Sequence, residues 1–171
     1  ISISLSCYAA EFSNENVKAI INKEISIVYN NELKAFFDVN GNAVSPISYN
    51  NTTYLPIRSI SALFSIPVEW DGANNKVLLG NGDIIETTTQ TIDSFTKNQN
   101  QEIELLLNRN LKIEYKNELQ SFADANGVTV YPLSYNGTTY LPVRAISNMY
   151  GVSVDWNEEN KRITLSLKER V

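Results

Sequence analysis

One phrase occurs twice in this chain, and the spacing of the two occurrences organises everything else. "NTTYLPIRSISALF" begins at Asn51 and "GTTYLPVRAISNMY" begins at Gly137. A shift of 86 residues aligns 17–79 with 103–165 without a gap, and nearly half of the aligned positions are identical. Two segments this similar should share one fold. The period is longer than that of solenoid repeats, which indicates the duplication of a small domain.

Alternating apolar residues predict a β-hairpin at the start of each copy. In the second copy the alternation runs through 103–107, is interrupted by "NRN", and resumes through 111–115. The first copy has the same pattern on either side of "NKE" at 22–24. A turn-rich stretch follows in both copies, with Asn40-Gly41 in one and Asn126-Gly127 in the other. Both dipeptides are strong turn formers because both residues tolerate positive φ.

The repeated phrase itself predicts a strand that passes directly into a short helix. Thr-Thr-Tyr-Leu favours extended backbone, and the residue before a proline is pushed the same way. Pro56 and Pro142 suit the first helical position, where a missing N–H costs nothing. Apolar residues at helical spacing follow each proline,. Gly151 predicts a left-handed end for the second helix, whereas Ser65 at the same place predicts a less clean end for the first.

A second hairpin is predicted after each helix. "VSVDW" and "ITLSL" in the second copy alternate around the turn "NEEN", and the first copy has "VEWD" and "KVLL",. Trp70 and Trp156 share their alternation with Val68 and Val154, so we expect both indoles to point into the core. The alternative is that they form stacking platforms for a sugar.

These patterns predict an α+β fold with two homologous repeats. Each repeat would be an antiparallel sheet (hairpin, short strand, helix, hairpin) packed on one short α-helix. The first repeat is 17–79 and the second is 103–171, with its aligned core at 103–165. Residues 80–102, with a net charge of about −3,, are expected to form a strand extension at Asp83–Thr88 and then an acidic, polar linker.

Residues 1–16 are expected to be an N-terminal segment that contains a signal-peptide remnant. "ISISLSCYA" is small and apolar and ends in an A-x-A-like junction,. A disordered or weakly paired N-terminal strand is the alternative, and a lipoprotein cysteine at Cys7 is a variant of the signal-peptide interpretation. No run of about 18 apolar residues is present elsewhere, so no transmembrane segment is expected,.

Composition excludes several classes of function. The chain has no histidine, which removes imidazole from catalysis and from metal binding. Its one cysteine cannot form an internal disulfide,. The net charge of −5 would repel a phosphate backbone, so we expect no nucleic-acid partner.

The order of strand, proline, arginine, helix and Trp hairpin is similar to that of a known family. "TTYLPIRSISALF…VEWD…NKVLL" and "TTYLPVRAISNMYGVSVDW…NKRITL" resemble the copper amine oxidase N-terminal-like domain, also called the stalk domain. The signature residues are Pro56, Arg58, Trp70, Pro142, Arg144 and Trp156. The resemblance implies an extracellular or cell-surface module of Gram-positive bacteria, and it implies no amine oxidation, because the copper chemistry of those oxidases lies in a separate domain.

The leading functional hypothesis is therefore a non-enzymatic, secreted or surface-attached stalk, spacer and interaction module without a cofactor. Its partner would be another surface domain or a cell-wall glycan. The alternative is a carbohydrate-binding module that uses exposed aromatic residues, namely Tyr49, Tyr54, Tyr135 and Tyr140. A glycosidase-type enzyme is the third hypothesis, and it requires acids from both copies to line one cleft.

Two sets of polar residues have structural as well as functional interpretations. Arg58 and Arg144 are expected to tie each helix to a loop carbonyl or to a carboxylate such as Asp38 or Asp124, with anion binding as the alternative. Asp38, Asp71, Asp124 and Asp155 suggest calcium, but "DVNGN" and "DANGV" lack the later bidentate acid of a calcium loop,. We therefore expect no metal site.

Overall fold

The computed structural model describes residues 13–83 and 89–169. The fold is mostly β with two helices, which fits the α+β prediction. The strands are β1 (Glu15–Ile21), β2 (Ser26–Tyr29), β3 (Glu32–Phe37), β4 (Ala43–Val44), β5 (Ile47–Tyr49), β6 (Thr52–Pro56), β7 (Val68–Asp71), β8 (Lys76–Leu79), β9 (Thr89–Ile92), β10 (Gln101–Leu107), β11 (Lys112–Tyr115), β12 (Glu118–Gln120), β13 (Phe122–Ala123), β14 (Thr129–Val130), β15 (Leu133–Tyr135), β16 (Thr138–Pro142), β17 (Val152–Asn157) and β18 (Arg162–Leu167). The helices are α1 (Ile57–Leu63) and α2 (Val143–Tyr150).

Six strands form a closed barrel, in the order β1-β10-β15-β16-β6-β5. Each repeat supplies three of its strands, and the two repeats meet along two antiparallel pairs, β1–β10 and β6–β16. One face of the strands carries an apolar cluster with side chains from all six, which places this cluster inside the barrel,.

The two larger sheets outside the barrel are built from both repeats, whereas β13 and β14 form a separate two-stranded sheet. The order in one sheet is β12-β11-β8-β7, so that β11 of the second repeat pairs in parallel with β8 of the first. The other sheet has the order β17-β18-β2-β3-β4, so that β2 of the first repeat pairs in parallel with β18 of the second. The two halves therefore exchange strands, and neither sheet is complete within one repeat.

This exchange corrects the predicted first hairpin. β1 pairs with β10 and β5, whereas β2 pairs with β3 and β18, so β1 and β2 do not pair with each other. β10 and β11 behave in the same way in the second repeat. The turns "NKE" and "NRN" are corners at which the chain leaves the barrel for an outer sheet.

Side chains at the two corners explain why the chain bends there. The side-chain amide of Asn22 donates to Ser48 Oγ at 3.2 Å, and its Oδ1 accepts the N–H of Glu24. Asn108 donates equivalently to Ser134 Oγ at 3.1 Å, and its Oδ1 accepts the N–H of Leu111. Each asparagine thus binds the neighbouring barrel strand and the turn together.

The predicted passage from a strand directly into a short helix is confirmed in both copies, with one difference. Pro56 and Pro142 are the last strand residues and the N-caps, rather than the first helical residues, and their φ angles are −65° and −56°. α2 ends at Gly151, which has φ 66° and donates its N–H to Ser147 O. α1 is one residue shorter, and Ser65 takes a left-handed φ of 55° without the freedom of glycine,.

A second apolar cluster fills the space between the barrel and the outer layer. It contains residues of both helices, of both outer sheets and of the outward faces of β6 and β16. A side-chain hydrogen bond also joins the two helices, between Ser61 Oγ and the hydroxyl of Tyr150, which lie 2.7 Å apart. Neither helix in the described part of the chain is long and apolar enough to cross a membrane.

The connection between the repeats is more structured than predicted. β9 lies within it and pairs antiparallel with β3, which makes the connection part of an outer sheet. Thr91 Oγ1 donates to Glu32 Oε2 at 3.1 Å and accepts from Lys34 Nζ at 2.7 Å. The predicted strand extension lies outside the described residues, apart from Asp83, and so does most of the predicted signal-peptide segment.

Candidate functional site

The four tyrosines proposed as sugar platforms do not form an exposed aromatic face. Tyr54 and Tyr140 are only 1% and 3% exposed, because their side chains lie inside the barrel. Burial raises the pKa of each hydroxyl to about 12,. Tyr49 and Tyr135 are half-buried against the same cluster. The prediction of exposed rings is thus wrong for Tyr54 and Tyr140, since the even-numbered face of β6 and β16 is the interior one.

The two tryptophans were predicted to be buried, and this prediction is also wrong. Trp70 is 50% exposed and Trp156 is 44% exposed. They do lie on the same side of their strands as Val68 and Val154, which pack against the outer cluster. The apolar cluster thus covers the valines, whereas the indoles do not belong to it and are in contact with solvent.

A groove of about 160 Å³ lies beside Trp70. Five segments line it: the end of β3 with the turn after it, Pro56 with the start of α1, strand β7, Val77 of β8, and the turn between β15 and β16 with the first residues of β16. Its apolar lining includes Phe37, Ile57 and Val77. The first four segments belong to the first repeat, and the fifth, at 136–139, belongs to the second. The groove therefore exists only when the two halves are assembled.

Arg58 contributes a half-buried cation to this groove. Its Nη1 donates to the carbonyl oxygen of Val68 at 3.5 Å, a long contact that leaves most of its donors available,. Arg144, the equivalent residue, is exposed and has no hydrogen bond or ion pair to the rest of the described chain. The predicted tie to a loop carbonyl is thus present only weakly at Arg58, and it does not form at Arg144.

The aspartates that suggested calcium organise turns. Asp38 Oδ1 accepts the N–H groups of Asn40 and Asn42 at 2.8 and 2.9 Å. The side chain of Asn42 donates to Oδ2, and this bond is the largest of the effects that lower the pKa of Asp38. Asp124 makes the same backbone bonds to Asn126 and Val128.

Asp71 organises the turn of the β7–β8 hairpin in a similar way. The side-chain amide of Asn74 donates to it at 2.7 Å, and this bond is the largest effect that lowers the pKa of Asp71. Within 13–83 and 89–169, no group of three metal-ligating side chains is close enough to hold an ion.

Sequence reasoning missed the groove for a physical reason. Asn136, Gly137, Thr138 and Thr139 are more than 65 residues away from Trp70 along the chain, and only the pairing of β6 with β16 brings them to it. One difference between the repeats could have pointed to the groove. Gly72 and Asn75 beside Trp70 align with the charged residues Glu158 and Lys161 beside Trp156.

Comparisons with known proteins identify the family. Searches of curated proteins and of solved structures gave no significant match. The family model of the copper amine oxidase N-terminal domain matches residues 38–114 and 123–171. The first matched segment crosses the repeat boundary and runs into β11, the strand that completes the sheet of β7 and β8. Since the two segments cover most of the chain, this protein belongs to the copper amine oxidase N-terminal domain family.

Proposed function

We propose that this protein is a non-catalytic spacer and interaction module at the extracellular face of a cell. The copper amine oxidase N-terminal domain is a non-catalytic stalk-type domain. A stalk serves by holding an attached domain at a distance, so its own shape has to persist. We infer from the same family membership that the chain is not an enzyme.

The exchange of strands between the repeats is the observation that carries this proposal. Two parallel pairs, β2–β18 and β8–β11, each join the halves across four residue positions. The antiparallel pairs β1–β10 and β6–β16 join them again in the barrel. One half cannot turn relative to the other without breaking these ladders and opening both apolar clusters. Such a body suits a spacer better than two domains on a flexible linker would.

The partner of the interaction surface is a separate matter from the spacer role. Tyr54 and Tyr140 lie inside the barrel, and a module that uses the four tyrosines as exposed platforms is therefore not proposed.

Surface display tests the spacer role directly. The chain would be placed between a surface anchor and an epitope, and the binding of a whole antibody would be compared with that of its smaller Fab fragment. A Gly/Ser linker with the same number of residues is the matched control, since it forms a flexible coil. We expect the folded chain to give the higher ratio of antibody to Fab binding. An equal ratio for the folded chain and the Gly/Ser linker would contradict the spacer role.

A further inference from the structure

The two equivalent tryptophans differ in their hydrogen bonding. Trp156 Nε1 donates to Glu158 Oε2 at 2.7 Å, and Lys161 Nζ lies 6.0 Å from the centre of its ring. Two charged side chains of its own turn thus hold this indole. Among the residues that the structure describes, Trp70 Nε1 has no hydrogen-bond acceptor and no cation lies over the Trp70 ring.

The turn beside Trp70 leaves the edge of its indole open. Gly72 stands where the second repeat has Glu158, and Asn75 stands where it has Lys161. A Cβ atom at position 72 would lie 3.1 Å from Trp70 Nε1, closer than most real contacts of this kind. Glycine therefore leaves room beside the N–H, and no side chain at 72 can reach it as Glu158 reaches Trp156.

The groove next to this indole combines an apolar floor with free polar groups. Ile57 and Val77 are among its buried lining residues. Asn136 is exposed and makes no hydrogen bond to the described chain, so that its amide offers both donors and an acceptor,. Arg58 offers further donors, and Glu69 is an exposed carboxylate. Asp38 is largely occupied by its own turn.

This combination matches the chemistry of a sugar ring. A pyranose has a C–H face that packs on an aromatic ring and a rim of hydroxyl groups that both donate and accept. The volume of about 160 Å³ is below the roughly 300 Å³ at which pockets for drug-sized ligands begin, so it suits one small ring. A peptide strand would instead use backbone hydrogen bonds along a sheet edge, and the polar groups here are side chains around a single aromatic ring.

We propose that the groove between Trp70, Arg58 and Asn136 binds one sugar ring of a glycan, with the ring stacked on the indole and its hydroxyls bonded to the arginine and the amide. We expect no equivalent sugar site in the second repeat, because Glu158 accepts the N–H of Trp156 and Lys161 lies over its ring. This site is independent of the spacer role. Surface display tests the spacer role and sugar titration tests the site, so either proposal can fail while the other holds.

The presence of only two tryptophans makes a residue-specific test possible. In a ¹⁵N-labelled sample of the whole chain, the two indole N–H signals would be assigned with Trp70→Phe and Trp156→Phe. β-1,4-linked trisaccharides of glucose and of N-acetylglucosamine would then be titrated in. We expect a saturable shift of the Trp70 signal with at least one of them and no shift of the Trp156 signal.

Matched variants complete the test. Trp70→Ala should weaken binding at least tenfold, Asn136→Ala should weaken it severalfold, and Trp156→Ala should leave it unchanged, with circular dichroism confirming the fold of each. The absence of a saturable shift with either trisaccharide would overturn the proposal, as would equal losses in the two tryptophan variants. Saturable binding of an acidic tetrapeptide, with no response to either sugar, would reassign the groove to a peptide.

Discussion

Leu55 and Leu141 lie directly opposite each other in the antiparallel pair of β6 and β16, and both are completely buried. They are also equivalent residues of the two repeats, because they are 86 positions apart. Lys18 and Glu104 have the same relationship in the pair of β1 and β10. A pseudo-twofold axis therefore passes through both seams of the barrel, and equivalent residues meet across it.

Truncation of Leu141 should destabilise both halves together. Leu141→Ala removes a fully buried side chain from the cluster shared by the two repeats, and such changes cost about 2–5 kcal/mol. Urea unfolding would be followed by the fluorescence of Trp70 in a Trp156→Phe background and of Trp156 in a Trp70→Phe background. We expect both transitions to shift by the same amount. Leu119→Ala, at a side chain that is 65% exposed, is the control and should change stability by less than about 0.5 kcal/mol. A shift seen by only one probe would show that the halves unfold separately.

Each half on its own should fail to fold as a monomer. A fragment that ends at residue 83 lacks β11 beside β8 and β18 beside β2, and its three barrel strands have open edges,. We expect poor dispersion in the ¹⁵N spectrum of each separate fragment and a native-like spectrum when fragments 1–83 and 84–171 are mixed in equal amounts. Each fragment at doubled concentration is the control. A dispersed spectrum from a fragment that sediments as a monomer would contradict the interlocked architecture.

Exchanging serine and glycine at the C-terminal ends of the two helices should change the stability of the protein in opposite directions. Both Ser65 and Gly151 have left-handed φ angles, 55° and 66°. This conformation costs a non-glycine residue about 1–2 kcal/mol, and glycine loses about 0.5–1 kcal/mol of that advantage through its freedom in the unfolded chain. Ser65→Gly should therefore stabilise the protein by about 0.5–1 kcal/mol, and Gly151→Ser should destabilise it by a similar amount. Urea midpoints measure both, and changes of the same sign would refute this account.

Alkaline pH should destabilise the protein through its barrel tyrosines. Burial raises the pKa of Tyr54 and of Tyr140 to about 12, above the value of about 10 for the unfolded chain. The folded protein thus holds these protons more tightly, so their contribution is fully present below about pH 10 and is lost as the pH rises toward about 12.

Thermal unfolding from pH 7 to 12 would measure this effect. The double variant Tyr54→Phe/Tyr140→Phe should lose stability less steeply than the parent above pH 10, and measurements at pH 7–9, where the slopes should agree, serve as the internal control. Equal slopes above pH 10 would show that these hydroxyls do not carry the effect.

The sequence determined the features that depend on a few neighbouring residues. Pro56 and Pro142 mark where a strand passes into a helix, because a proline restricts its own backbone and that of the residue before it,. Gly151 ends α2 because it tolerates a left-handed conformation,. The hairpins β7–β8 and β17–β18 follow from alternation around a short turn, and the family follows from the order of these elements.

Tertiary structure alone decided which strands pair and which aromatic rings are exposed. Alternation shows that a strand has an apolar face, but backbone hydrogen bonds are the same for every partner. Asn22 and Asn108 therefore indicate a turn, and only the barrel strands that they bind, through Ser48 and Ser134, make that turn a corner instead of a hairpin. The burial of Tyr54 depends on closure of the barrel, and the exposure of Trp70 depends on how much of the β7 face the outer apolar cluster covers. The groove is the clearest case, because its walls come from both repeats and meet only when β6 pairs with β16.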